Sequence, residues 1–229
     1  MKLFLFCFLL VSKAYSETQV FEALAKSEGQ VVYLERHTVD YAGNSLIKAV
    51  TEYFDANGKS IGLLSSHFDQ SLSAPEYVLH DTRHGSSLGL NWVEHKPEVF
   101  TREKGKARVV MRPELLGGKE ALVSGPGLIY FVGQNLEQIL TKDHLNFKYL
   151  IPGRSQAFDF TIKTIAHGPD LAEFEIKMRS WVMNIFGPRV RLIYDVKRKR
   201  VLFYEGLSIL RDPDGKMMSV DVEYRYKSE

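Results

Sequence analysis

The sequence predicts a mainly β protein: one long antiparallel meander curled into a half-open barrel around one or two helices, with a two-sheet β-sandwich as the competing architecture. Three observations predict it. Apolar and polar residues alternate one by one in run after run, turn-forming residues stand between those runs, and one interior segment changes to a spacing of three to four residues. Alternation at period two puts one face of a strand on a core and the other in water, whereas a period near 3.6 marks a helix face.

The chain begins in a different style. Met1-Lys2 leads into an apolar run from Leu3 to Val11, and Ala14 and Ser16 then stand three and one residues before Glu17. A basic start, a short apolar stretch and small residues at those two positions form the grammar of a cleavable secretory signal. Residues 1–16 are therefore expected to be removed, leaving 17–229 as a single β domain. The apolar run is shorter than the roughly 20 residues a bilayer span requires, so no transmembrane segment is expected afterwards.

Cys7 lies inside this run behind Phe6, not after it behind a small residue as a lipid-attachment cysteine would. The mature protein is accordingly read as soluble and not lipid-anchored. Cys7 is the one cysteine of the chain, so after cleavage no disulfide can form and no thiolate is offered to a metal or substrate. An exported domain without disulfides points to the periplasm of a Gram-negative bacterium. The 30 basic and 28 acidic residues balance once Lys2 and Lys13 leave with the signal. Without an overall basic field, nucleic acid is not an expected partner.

In order along the chain, a short helix is expected over Thr18–Lys26, where Val20, Phe21 and Leu24 would dock on the domain. Strands are expected near 30–40, 45–55, 59–69, 76–82, 87–95, 106–112, 145–151, 156–166, 171–181, 189–196, 200–210 and 216–226. The clearest alternation is Phe158, Phe160, Ile162; then Phe174, Ile176, Met178; and finally Met218, Val220, Val222, Tyr224, Tyr226. Ala42-Gly43-Asn44, Asn57-Gly58, Lys104-Gly105, Gly168-Pro169 and Asp212-Pro213-Asp214-Gly215 supply the turns between runs; Asn-Gly and Asp-Gly favour the positive φ angles of tight hairpins. Ser124-Gly125-Pro126 then opens a helix near 126–140, in which Leu128, Val132, Leu136, Ile139 and Leu140 fall on one face.

Several constellations invite chemistry. Gly85-Ser86-Ser87-Leu88-Gly89 fits G-x-S-x-G, but the residues that follow read as a strand, whereas a nucleophile elbow needs a helix there. His80, Asp81, His84 and His95 straddle a predicted hairpin without the spacing of a metal motif. No catalytic residue, metal site or cofactor is assigned. Lys197-Arg198-Lys199-Arg200, with Arg189 and Arg191 just before, forms a dense basic patch at a hairpin tip. Its functional reading is docking to an acidic partner or to anionic lipid head groups.

Some strands are apolar on both faces: Val31-Val32-Tyr33-Leu34, Ile61-Gly62-Leu63-Leu64, Trp181-Val182-Met183-Asn184-Ile185-Phe186 and Val201-Leu202-Phe203-Tyr204. Such strands are covered on both sides, which leaves an apolar ligand, the helix, a partner protein or plain core as the cover.

The late run Tyr194-Asp195-Val196-Lys197, Tyr204-Glu205-Gly206 and Asp212-Pro213-Asp214-Gly215-Lys216, with the signal, the meander and the internal helix, resembles the periplasmic lipoprotein-carrier superfamily. That resemblance implies an open barrel whose concave apolar face, capped by helices, holds acyl chains. The early strand signature of the carriers has no counterpart here, so no site residue is carried over by motif. The expected function is a non-enzymatic periplasmic binding or carrier protein with an apolar cavity for a lipid-like ligand or a partner's apolar segment. Leu128, Val132, Leu136, Phe158, Phe160, Phe174, Ile176, Met178, Phe203 and Tyr204 would line the cavity, and the same residues would serve as core. The alternatives are an envelope structural or protein-interaction module without a cavity, and a hydrolase acting through Ser87.

Overall fold

The computed structural model describes residues 16–115, 120–180 and 189–226. The alternating segments become strands and the segment with helical spacing becomes a pair of helices. In chain order these are β1 Ser16–Ser27, β2 Gln30–Ala42, β3 Ser45–Phe54, β4 Ser60–His67, β5 Glu76–Asp81, β6 Ser86–Val93, β7 Lys96–Arg102, β8 Val109–Met111 and β9 Ala121–Ser124. They continue as α1 Gly127–Gln134, α2 Leu136–Lys142, β10 His144–Leu150, β11 Ala157–His167, β12 Leu171–Met178, β13 Val190–Asp195, β14 Arg200–Arg211 and β15 Met217–Tyr226.

All the strands belong to one sheet, ordered β8-β7-β6-β5-β4-β3-β2-β1-β15-β14-β13-β12-β11-β10-β9. Neighbours are antiparallel except β9 and β10, which run parallel. A continuous sheet rules out the two-sheet sandwich. The architecture is the curved, unclosed one: Leu122, Leu150 and Ala157 from one end of the sheet share an apolar cluster with Tyr77, Leu79, Leu90, Val99 and Met111 from the other. The two ends therefore overlap in a spiral instead of joining in a ladder.

Loop residues fasten the overlap. Ser124 N donates to the Ser73 carbonyl at 3.0 Å, and Ser73 Oγ donates to the Leu122 carbonyl at 2.7 Å. The backbones come so close here that a Cβ at Gly127 would sit 2.0 Å from the Ser73 oxygen. Phe68 completes the clasp, edge-on to Tyr130 with ring centroids 4.9 Å apart.

The segment Thr18–Lys26 is not a helix but the body of β1. Its buried residues are Phe21, Ala23 and Ala25, a two-residue rhythm imposed by β2 on one side and β15 on the other. Sequence reading also missed β7 and β9. The β6–β7 turn is built from Glu94 and His95, both at positive φ (49° and 60°), so no glycine, proline or asparagine occupies it, and the nearby Pro97 falls inside β7 opposite Trp92. The interior helix runs past its expected end and breaks at Asn135, whose Nδ2 donates to the Phe131 carbonyl at 2.8 Å.

Candidate functional site

The expected cavity lining is found in a single packed cluster. Leu128, Val132, Leu136, Phe160, Phe174, Ile176 and Met178 are buried together with Phe131, Ile139, Phe147, Leu192 and Tyr194, and Phe158 and Tyr204 pack against them. Val132, Ile139, Phe147, Ile162, Phe174, Leu192 and Tyr194 are each 0% exposed, so no space the size of a water molecule borders these side chains. Helix and sheet bury one another, as close-packed interiors do.

Phe203 does not join this cluster. A register shift between Ile193 and Tyr194 lets both Val201 and Tyr204 face inward while Phe203 lies opposite Glu223 on the outer face, with the Arg191 guanidinium 5.8 Å over its ring. Leu34 and Leu63, from two of the other doubly apolar runs, are 40% and 37% exposed. The run Trp181–Phe186 lies outside the described residues.

An open cleft of about 450 Å³ does exist beside the helices, lined by Glu120, Phe131, Asn135, Lys142, His144 and Asn146 among others. It lies where Phe131 of α1 and Gln138 and Lys142 of α2 face Ala121 of β9 and His144, Leu145 and Asn146 of β10, at the edge of the packed cluster, and polar and apolar groups share its wall equally.

The basic patch is largely engaged by carboxylates. Lys197 Nζ lies 2.5 Å from Asp170, Arg198 Nη1 3.2 Å and Arg200 Nε 3.8 Å from Asp195, and Lys199 Nζ 3.3 Å from Glu137. Arg191 sits 2.6 Å from Glu173 and 3.7 Å from Glu205, and Arg189 is exposed. Burial would raise the Asp195 carboxyl, but hydrogen bonds from Arg198 and the charges of Arg198 and Arg200 outweigh it and hold the group below its ordinary range. Such a patch is close to neutral as a surface.

Ser87 is 8% exposed and lies within β6 opposite His80, so no strand-to-helix elbow presents it. Gly89 serves packing: a Cβ there would meet the Tyr77 carbonyl at 2.0 Å and the Phe100 ring at 2.8 Å. Asp81 accepts the backbone N–H of Arg83 at 3.0 Å and of His84 at 3.2 Å, which closes the β5–β6 turn. His95 belongs to the turn at the other end of β6. Among the described residues no group of three or more metal-ligating side chains gathers, and no helix is long and apolar enough to cross a membrane.

One polar array escaped sequence reading. On the inner face of β2 and β3, His37 Nε2 lies 2.8 Å from Glu35 Oε2 and Nδ1 lies 2.9 Å from Thr51 Oγ1. Glu35 and Thr51 are 7% and 5% exposed. Phe21 stacks on the imidazole at 4.5 Å with the rings 13° apart. Tyr33 bonds to Ser208 at 2.9 Å nearby, and burial, followed by the Glu35 charge, pushes the Tyr33, Tyr53 and Tyr224 hydroxyls well up. The available signal was the two-residue rhythm Tyr33, Glu35, His37, Val39, which puts an acid and an imidazole on the inward face.

A carboxylate, an imidazole and a hydroxyl in a row have the connectivity of a catalytic triad. Here the hydroxyl faces the interior of a packed wall, and the backbone amides of β2 and β3 are committed to ladder pairing, so no oxyanion donors converge on Thr51. The array holds strands together.

No family model matches the chain, and no curated protein matches it. Among solved structures the chain is similar to the beta-barrel-like protein of a domain of unknown function, DUF1849, from Brucella abortus, with 7% sequence identity and a TM-score of 0.38 over 92% of this chain and 97% of that one.

Proposed function

We propose that this chain is an exported, non-enzymatic protein-interaction module of the cell envelope that works without a ligand cavity. The observation that carries the reading is the packed interior: of the side chains expected to line an acyl site, Val132 and Phe174 are 0% exposed and Leu136 and Ile176 2%. A carrier needs a sheltered apolar vacancy of several hundred Å³, whereas the cleft between the helices and β9–β10 is open and half polar. Apolar side chains are instead left outside, with Leu34, Leu63 and Val110 between 37% and 46% exposed. Burial of Ser87 and Thr51 within strands speaks against hydrolysis.

Photo-crosslinking from the outer face in intact cells, with mass spectrometry of the protein gently isolated from its envelope, tests the reading. A discrete crosslinked protein partner and no stoichiometric lipid are expected. Acyl lipid recovered at one equivalent, displaced by a fluorescent fatty acid, would replace this reading with the carrier.

A further inference from the structure

The two outer strands of the sheet are treated differently. β9 is taken up by Ser73 of the clasp. Among the described residues β8 pairs with β7 alone, and the chain reaches another segment only beyond the strand, where Glu114 N donates to the Ser155 carbonyl at 3.2 Å. A terminal strand presents unpaired N–H and C=O groups and is a template for another extended chain.

The side chains of this edge form a pattern. Val110 pairs with Phe100, so Arg108, Val110 and Arg112 share the outer face with Phe100 and Glu98. The Arg108 guanidinium lies 3.6 Å over the Phe100 ring, and Arg112 Nε donates to Glu98 at 2.6 Å. Each guanidinium has five N–H donors, so these contacts place the two cations without exhausting them. Val110 between them is 46% exposed and Val109, on the inner face, 51%. From Arg102 to Arg112 five residues are cationic and one is acidic.

We propose that β8 is a strand-addition edge for an extended segment of a partner protein, with acid, apolar and acid at every second position opposite Arg108, Val110 and Arg112. The assignment rests on the interaction-module reading and names its partner's chemistry. The pattern is palindromic, so it serves a parallel or an antiparallel guest. A second copy of this chain fits badly, since antiparallel pairing centred on Val110 sets Arg108 against Arg112 of the copy, and like charges directly opposite destabilise. Pro113, with no N–H to donate, limits the guest to a short strand.

The probe is a synthetic peptide, Thr-Glu-Thr-Val-Thr-Glu-Thr, titrated into the labelled full-length mature protein and followed by amide NMR, beside the same peptide with lysine for glutamate. Saturable shifts confined to β7 and β8 are expected for the glutamate peptide, with binding about tenfold weaker to R108E/R112E and a preference there for the lysine peptide. Because Arg108 braces Phe100, R112E alone serves as the milder variant, with thermal unfolding checked for both. Equal binding of both peptides to wild type, equal binding by wild type and R112E, or no saturable shift overturns the edge assignment. If the envelope crosslink survives R112E unchanged, the interaction module stands and β8 is not its edge; if wild type yields no crosslink, the module reading falls on its own.

Discussion

His37 joins Glu35 and Thr51 through its two ring nitrogens, at 2.8 and 2.9 Å, within the inner wall of the sheet. A carboxylate shielded this well has few partners to replace the imidazole, because its strand neighbours on the inner face are a tyrosine and the histidine itself. Removing one member of a buried pair strands the other, which costs far more than the pair contributes.

Substituting His37→Leu is therefore expected to lower unfolding free energy by about 3–5 kcal/mol, with Glu35→Gln/His37→Gln recovering a substantial part. Urea unfolding at neutral pH measures both. A loss below about 1 kcal/mol for His37→Leu would mean that water already reaches Glu35.

The tyrosines make stability sensitive to alkali. Burial pushes the Tyr149 hydroxyl up to about 12, and Tyr33, Tyr53, Tyr194 and Tyr224 are raised well beyond the ordinary value by burial first. In the unfolded chain these groups ionise near pH ~10. Folded pKa values above unfolded ones mean stability that is fully present below pH ~10 and falls as pH rises through the folded values. Tyrosinate absorbance should therefore appear together with loss of far-ultraviolet β signal; a simple titration near pH ~10 with the fold intact would contradict the burial.

At the clasp, Gly127→Ala has to move the Ser73 carbonyl, 2.0 Å from the new carbon. A loss of about 1–3 kcal/mol is expected. The control is Gly168→Ala, where nothing lies within 4 Å, with a change within about 0.5 kcal/mol. Similar values for the two variants would show that the clasp adjusts freely.

Phe174 and Phe203 separate inner from outer faces. Phe174→Ala opens a void in the packed cluster and should cost about 3–5 kcal/mol. Phe203→Ala, on the outer face, should cost about 1 kcal/mol. Reversal of that order would put the apolar face of β14 on the other side.

Much of the sheet was legible because strand burial is written at period two, and β12 and β15 show it without interruption. β1 was misread because Val20, Phe21 and Leu24 also satisfy a helical spacing, and only pairing with β2 and β15 decides between the two. The β6–β7 hairpin was hidden by left-handed residues of ordinary type. The candidate lining residues were found correctly as apolar and inward, apart from Phe203, whose direction depends on a register shift that composition does not encode. Whether inward residues enclose space or fill it is a matter of volumes in three dimensions, so the packed interior had no signature in the sequence. Nor did the neutralisation of the basic hairpin, since Asp170 and Glu137 come from other elements.

The centre of the sheet is made by β1 and β15, where Lys26 and Glu223 bond across a separation of 197 residues. Each half of the chain, β1–β8 or β9–β15, can pair its own strands as they emerge, yet neither half owns the middle. The sheet becomes one ladder only when its last strand arrives, so the molecule is in effect two fragments written in tandem, zipped along one antiparallel seam and fastened again at the clasp. Bringing these distant ends together carries a large loop-closure cost before any packing rewards it, and until then each half exposes a bare edge at what will become the interior.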